Sequence, residues 1–136
     1  MTSSGTWEDH EQIRDLYARY AHAVDLGRYE EWIECFTSDG VFESPRFGRY
    51  QGVEGLRRFT AIYKESNGAA QVRHMMTNVM FEISGDRATG SCYLNYYHCR
   101  DGKVSLSALG RYEDQLRKVN GRWRFESRRV HIDGHG

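Results

Sequence analysis

Gln71-Val72-Arg73-His74-Met75-Met76-Thr77-Asn78-Val79-Met80-Phe81-Glu82-Ile83 is where the chain changes character. Before it, apolar residues recur every three or four positions; within it and beyond it they recur every second position. Val72, His74 and Met76 share one parity, whereas Val79, Phe81 and Ile83 share the other. A strand that changes its inward set part-way carries an extra residue, so a β-bulge is predicted near Met75-Met76. A strand this long, about twice the usual five or six residues, has to twist and bend.

Downstream, Arg87–Arg100, Val104–Lys118 and Arg122–Ile132 read as three more long strands. Ser84-Gly85-Asp86, Asp101-Gly102 and Asn120-Gly121 separate the four segments, and the last two are short-hairpin signals. The final strand also changes parity, from Trp123 and Phe125 to Val130 and Ile132. Upstream, Thr6 and Asp9 offer a helix start. The helix they open runs to about Val24, with Ile13, Leu16, Tyr17, Tyr20, Ala21 and Val24 on its apolar face, and Gly27 breaks it. Arg28 to Thr37 reads as a second short helix presenting Tyr29, Trp32, Ile33 and Phe36. A turn at Ser38-Asp39-Gly40 leads to a short strand, Val41 to Ser44, ended by Pro45. Phe47 to Gly52 is irregular or a short strand return. Val53 to Lys64 is a third helix with Leu56, Phe59, Ile62 and Tyr63 inward, stopped at Asn67-Gly68. The plan is α+β in one domain spanning residues 1–136: a curved, cone-shaped, antiparallel or mixed sheet packed on three N-terminal helices.

Composition narrows the partners. Lys plus Arg balances Asp plus Glu at 19 each, which gives no electrostatic reason to expect nucleic acid. Aromatic residues make up 13% of the chain, nine of them tyrosines, and this suits an aromatic-lined cavity. Cys35, Cys92 and Cys99 are odd in number and lack metal-site spacing, so they read as buried free thiols of a reducing, cytoplasmic compartment. No apolar run approaches the roughly 18 residues of a membrane span. No glycine-rich phosphate loop or paired metal-ligand motif is present, so no cofactor is expected. A bent sheet showing Leu109, Tyr93, Tyr97 and Val130 outward would expose apolar surface, and a homo-oligomer, dimer or trimer, is expected.

Three places carry chemistry. Asp25 closes the first helix, directly after the apolar stripe. His74 sits early in the first long strand, in phase with Val72 and Met76. His131 and Arg129 lie on the last strand, in phase with Trp123 and Phe125 if no bulge intervenes. A carboxylate that holds a neutral histidine fixes its tautomer and stabilises the imidazolium, making a general base that works near neutral pH. Tyr20, one turn and a residue before Asp25, could polarise a substrate. Read singly, each has a plainer explanation: a helix cap for Asp25, a sheet residue for His74, core for Tyr20. Trp32, Tyr96, His98 and Asn78 are further candidates for lining the cavity. Met75, Met76 and Met80 read as core or pocket wall, and Arg57-Arg58 and Arg128-Arg129 as solvated or interface charges.

Residues along nearly the whole chain resemble one family. They are Ile13-x-x-Leu16-x-x-x-Tyr20, Asp25, Trp32, Phe36-Thr37-x-Asp39-Gly40, Gly52, Phe59, His74, Gly85-Asp86-x-Ala88, Gly110-x-Tyr112 and Gly121-x-Trp123. Together they look like the SnoaL-like branch of the nuclear-transport-factor-2-like superfamily, an α+β barrel of cystatin-like topology that includes scytalone dehydratase and bile-acid 7α-dehydratase. The resemblance implies an aspartate–histidine pair mapping onto Asp25 and His74, and a tyrosine five residues before the aspartate, at Tyr20. It also implies an arginine on the last strand, where His131 stands with Arg129 two residues away.

The resulting expectation is a cofactor-independent lyase of dehydratase type. His74 would remove a proton from an apolar cyclic or aromatic small molecule, Asp25 would orient His74, and Tyr20 would polarise the substrate. His131, Arg129, Asn78, His98, Tyr96 and Trp32 would bind it. An isomerase of the ketosteroid type, or a domain that only holds a ligand or a second subunit, are the rival readings, because this scaffold hosts all three.

Overall fold

The computed structural model describes residues 5–134. Helix α1 spans Trp7–Asp25, α2 Tyr29–Glu34 and α3 Gly52–Asn67; the strands are β1 Phe36–Ser44, β2 Gly48–Gln51, β3 Gln71–Ser84, β4 Arg87–Arg100, β5 Lys103–Val119 and β6 Arg122–Ile132. One six-stranded sheet has the order β2-β1-β6-β5-β4-β3. Only β1 against β6 is parallel; the other neighbours are antiparallel. The sheet is open, with β2 and β3 at its edges, and its concave face wraps the three helices.

Local chemistry accounts for these elements. Thr6 and Asp9 form a reciprocal capping box at the start of α1. Asp9 also accepts hydrogen bonds from Trp123 Nε1 and Lys118 Nζ, each at 2.9 Å, so the helix start is tied to the β5–β6 hairpin. The apolar stripe of α1 is buried from Ile13 to Val24. Its end is marked by Gly27, whose φ of +72° lies in the left-handed region, and by Arg28 N–H bonding to the Ala23 carbonyl at 2.8 Å.

The second helix stops at Glu34, three residues short of the predicted end. Phe36 pairs with Phe125, and Phe125 N–H bonds to the Cys35 carbonyl at 2.8 Å. That pairing draws Phe36 and Thr37 into β1, overriding their helical spacing. The mixed core beneath is aromatic: Tyr20, Trp32, Phe36, Phe42, Phe59, Tyr63 and Phe125 interlock at ring-centroid separations of 4.7 to 6.1 Å.

Register shifts at four places bend the sheet, the first between Phe36 and Val41 where β1 meets β6. In β3 the register shifts at Asn78-Val79, three residues later than the sequence pattern suggested, so His74 and Met76 keep phase with Val72. In β5 the shift falls at Ser107, and in β6 at Glu126. The β6 bulge turns Arg128, Val130 and Ile132 inward and Arg129 and His131 outward. Val130, expected on the outer face, is buried. Met75 and Met80, expected as core or pocket wall, are exposed, whereas Met76 packs against the core. Cys35 and Cys92 are buried, and Cys99 is half-buried. No helix among the described residues is long and apolar enough to cross a membrane.

Candidate active site

Between the helices and the concave face lies a cavity of about 470 Å³. Tyr20 and Val24 of α1, Trp32 of α2, and Phe59 and Tyr63 of α3 wall one side. His74, Leu94, Tyr96, Ala108, Tyr112 and Val130 form the sheet side. Ser44, Pro45, Arg46 and Phe47, from the β1–β2 hairpin, complete it.

His74 and Asp25 meet at this cavity. Asp25 Oδ1 lies 2.6 Å from His74 Nδ1, and Oδ2 accepts the His74 backbone N–H at 2.9 Å. The second bond follows from topology. β3 is an edge strand, its outward amides have no neighbouring strand, and the helix end supplies an acceptor. One carboxylate therefore fixes both the backbone and the ring of His74. Both side chains are largely buried, at 11% and 7% exposure. A carboxylate only accepts, so it selects the tautomer with the proton on Nδ1 and leaves the Nε2 lone pair free to act as a base.

Tyr20 is buried, and burial pushes its phenol up to about 12 while the nearby Arg128 charge opposes the rise. At neutral pH it is a donor. Trp32 and Tyr96 line the same cavity. The Trp32 indole N–H is buried and makes no well-formed hydrogen bond among the described residues, though its proximity favours the ionised form of Tyr20; His98 Nε2 is likewise buried without a hydrogen-bond partner among them. His98 stands edge-on to Tyr96, 4.9 Å between centroids, and does not reach the cavity wall.

The remaining candidates lie elsewhere. His131 projects from the outer face and pairs with Glu113 at 2.9 Å. Arg129 pairs with Glu43 on that face at 3.3 Å. Asn78 occupies the β3 bulge with φ +56° and borders an outer depression with Thr77, Tyr93 and Asn95. The structure thus brings His74, Tyr20, Trp32 and Tyr96 to one cavity, with Asp25 behind His74, and separates His131, Arg129, Asn78 and His98 from it.

Arg128, read from the sequence as a solvated charge, is fully buried beneath this cavity. Its Nε and Nη2 bond to the two oxygens of Asp114 at 2.8 and 3.0 Å. Tyr17 donates to the same carboxylate at 2.6 Å. The guanidinium lies over Tyr112, Phe125 and Tyr20 at 3.7, 4.3 and 4.4 Å from their centroids. The parity change in β6 was the available signal: if Val130 and Ile132 face inward, so must Arg128. Among the described residues no group of three or more His, Cys, Asp or Glu is placed to hold a metal ion.

Solved structures share this architecture. A variant of Rv3472, a protein of unknown function from Mycobacterium tuberculosis, is 30% identical, with 93% of this chain and 73% of that chain covered and a TM-score of 0.85. A protein of unknown function with a cystatin-like fold from Nostoc punctiforme is 26% identical over 98% and 96% of the two chains, TM-score 0.82. A Catenulispora acidiphila protein in complex with S-DNPA is 26% identical over 94% and 96%, TM-score 0.85. Residues 5–129 match the SnoaL-like domain, a family that includes enzymes, and this chain belongs to that family.

Proposed function

We propose that the protein is a lyase of dehydratase type that works with its own side chains on an apolar cyclic or aromatic small molecule. The contact of Asp25 with both the ring and the backbone of His74, at the wall of an apolar cavity, carries this reading. The relative observed in complex with S-DNPA supports a ligand-holding role for the fold.

In the proposed step, His74 Nε2 takes a proton from a carbon next to an activating group. Asp25 stabilises the imidazolium so formed, and the low-dielectric surroundings strengthen that attraction. Tyr20, held protonated by burial, donates to the substrate oxygen on which charge develops. Hydroxide departs from the neighbouring carbon with a proton returned by the imidazolium, so one water leaves and a double bond remains.

The test is a panel of hydroxylated cyclic and aromatic compounds incubated in D₂O and followed by mass spectrometry. Loss of one water, abolished in His74→Ala, is the expected result. His74→Ala should lower kcat/KM by about 10²–10⁴-fold, the usual share of general acid–base catalysis. Wild-type rates in His74→Ala on a turned-over substrate would remove the dyad from the mechanism. Deuterium uptake at carbon without loss of water would instead indicate an isomerase built on the same proton transfer.

A further inference from the structure

The cavity walls are mostly apolar, and hydroxyl groups stand beside His74. Tyr63 of α3 and Tyr96 of β4 both line the cavity with their hydroxyl oxygens 2.6 Å apart. The Tyr96 ring packs on the His74 imidazole at 4.5 Å between centroids. Arg46, exposed on the β1–β2 hairpin, lines the cavity and forms no ion pair among the described residues; its guanidinium lies 4.9 Å from the Phe47 ring centroid.

Two phenols in contact share one bond: one donates, and the proton of the other is free to point elsewhere. Burial raises both phenols, and the Tyr96 charge raises Tyr63 further. Donation from Tyr63 and the Asn67 amide favours the ionised form of Tyr96, as does the Arg46 charge. Either hydroxyl can donate within the pair. With Tyr63 donating, Tyr96 keeps its own proton for a third oxygen, next to the base. A group polarised by two donors is a stronger donor itself.

We propose that Tyr96, backed by Tyr63 and with Arg46 on the hairpin, binds the phenolate oxygen of a hydroxylated aromatic ligand. The inference rests on the reading that this cavity holds the molecule on which His74 acts. An anion entering an apolar chamber loses hydration and needs charge-assisted hydrogen bonds in return. Tyr96 supplies such a bond, Arg46 supplies positive charge, and the aromatic walls take the ring. Volume agrees, since about 470 Å³ lies within the roughly 300–1,000 Å³ of small-molecule pockets.

Binding can be measured without turnover. The probe is 4-nitrophenol, whose phenol titrates near neutrality and whose neutral and ionised forms absorb separately; 4-nitrotoluene is the matched ring without the oxygen. Both are titrated by quenching of tryptophan fluorescence, and the ionisation of bound nitrophenol by difference absorbance. The wild type should prefer nitrophenol and shift it towards the anion. Tyr96→Phe should weaken nitrophenol about tenfold and leave nitrotoluene within about twofold. Tyr63→Phe should weaken nitrophenol about threefold, because it removes only the donor behind Tyr96. Arg46→Gln should weaken it and flatten its dependence on salt. Equal losses for both probes in Tyr96→Phe would make Tyr96 a plain wall residue and overturn the proposal. So would unchanged nitrophenol binding in that variant, or binding of the neutral form alone. His74→Ala turnover tests the dyad independently: nitrophenol binding that follows Tyr96 while turnover ignores His74 would sink the dehydratase reading and leave this one standing.

Discussion

Removing the Arg128 charge should be among the most damaging single changes available in this protein. Arg128→Met keeps much of the side chain's length and apolar volume but leaves the Asp114 carboxylate without its two guanidinium bonds. That carboxylate is 1% exposed and, among the described residues, retains the side-chain bond from the Tyr17 hydroxyl at 2.6 Å. Breaking one side of a buried ion pair costs about 3–5 kcal/mol, because the remaining charge is stranded away from water. Four ring contacts at 3.7 to 5.0 Å are lost as well. Taking about 4 kcal/mol and a urea slope of about 2 kcal/mol per molar, the unfolding midpoint should fall by about 2 M. The second half of the prediction separates charge from packing. In an Asp114→Leu, Tyr17→Phe background the guanidinium is itself stranded, so adding Arg128→Met there should cost nothing or raise stability. The difference is a coupling of about 4 kcal/mol or more, read from four urea curves monitored by tryptophan fluorescence and by circular dichroism. A cost below about 1 kcal/mol for Arg128→Met in the wild-type background, or equal costs in both backgrounds, would refute the argument that the pair holds itself together at the expense of hydration.

Other outcomes follow from single contacts. Bonds from the Thr6 backbone, Trp123 and Lys118 hold the Asp9 carboxyl well below the usual carboxylate range. Its folded value lies below its unfolded one, so its contribution is complete above about pH 4 and is lost as the pH falls. The urea midpoint of Asp9→Asn should therefore start lower at neutral pH and decline less in acid than that of the wild type, and parallel declines would exclude Asp9 as the acid-sensitive group. A Cβ on Gly110 would sit 2.0 Å from the His131 carbonyl oxygen, so Gly110→Ala should break the β5–β6 ladder there and yield little folded protein in a solubility assay. Burial pushes the Cys35 and Cys92 thiols up to about 12 and about 11. Ellman's reagent should accordingly label Cys99 first in native protein, and Cys99→Ser should abolish the fast phase; a fast phase surviving in that variant would place a reactive thiol elsewhere.

The fold was legible in the sequence wherever the pattern had a single cause. The capping pair Thr6 and Asp9, the stripe from Ile13 to Val24 and the two tight hairpins each appear where local spacing predicts them. The boundary of α2 was not legible, because Phe36 and Thr37 satisfy a helical pattern and join β1 only through their pairing with β6, nearly ninety positions later. Long-range pairing leaves little trace in a window of ten residues. Asp25 and His74 could be named because the resemblance to the SnoaL-like family pairs them; singly, a carboxylate at the end of an apolar stripe and a histidine in phase with inward residues are only slightly out of place. Tyr63 and Tyr96 were less visible: a tyrosine on an inward face looks the same whether its hydroxyl meets a partner or not.

One inserted residue explains the rest. Glu126 has no partner on β5, where Gln115 faces Ser127 and Leu116 faces Phe125. Before it the odd-numbered residues of β6 face inward; after it the even-numbered ones do. An unbulged β6 would have kept Arg129 and His131 in phase with Trp123 and Phe125, and these were the residues the sequence singled out. The bulge instead turns Arg128 inward, where no candidate was sought, and the charge becomes affordable only because Asp114 on β5 lies directly opposite it. The same shift sets Val130 and Ile132 into the cavity wall, so the apolar character of the chamber and the buried cation beneath it have one structural origin. Parity alone indicated a change in β6, but not that its consequence would be an exchange of charged groups between the two faces. The polar chemistry of the cavity therefore rests on α1, α3, β3, β4 and the β1–β2 hairpin, and the last strand contributes walls and a buried positive charge rather than a side chain that reaches the ligand.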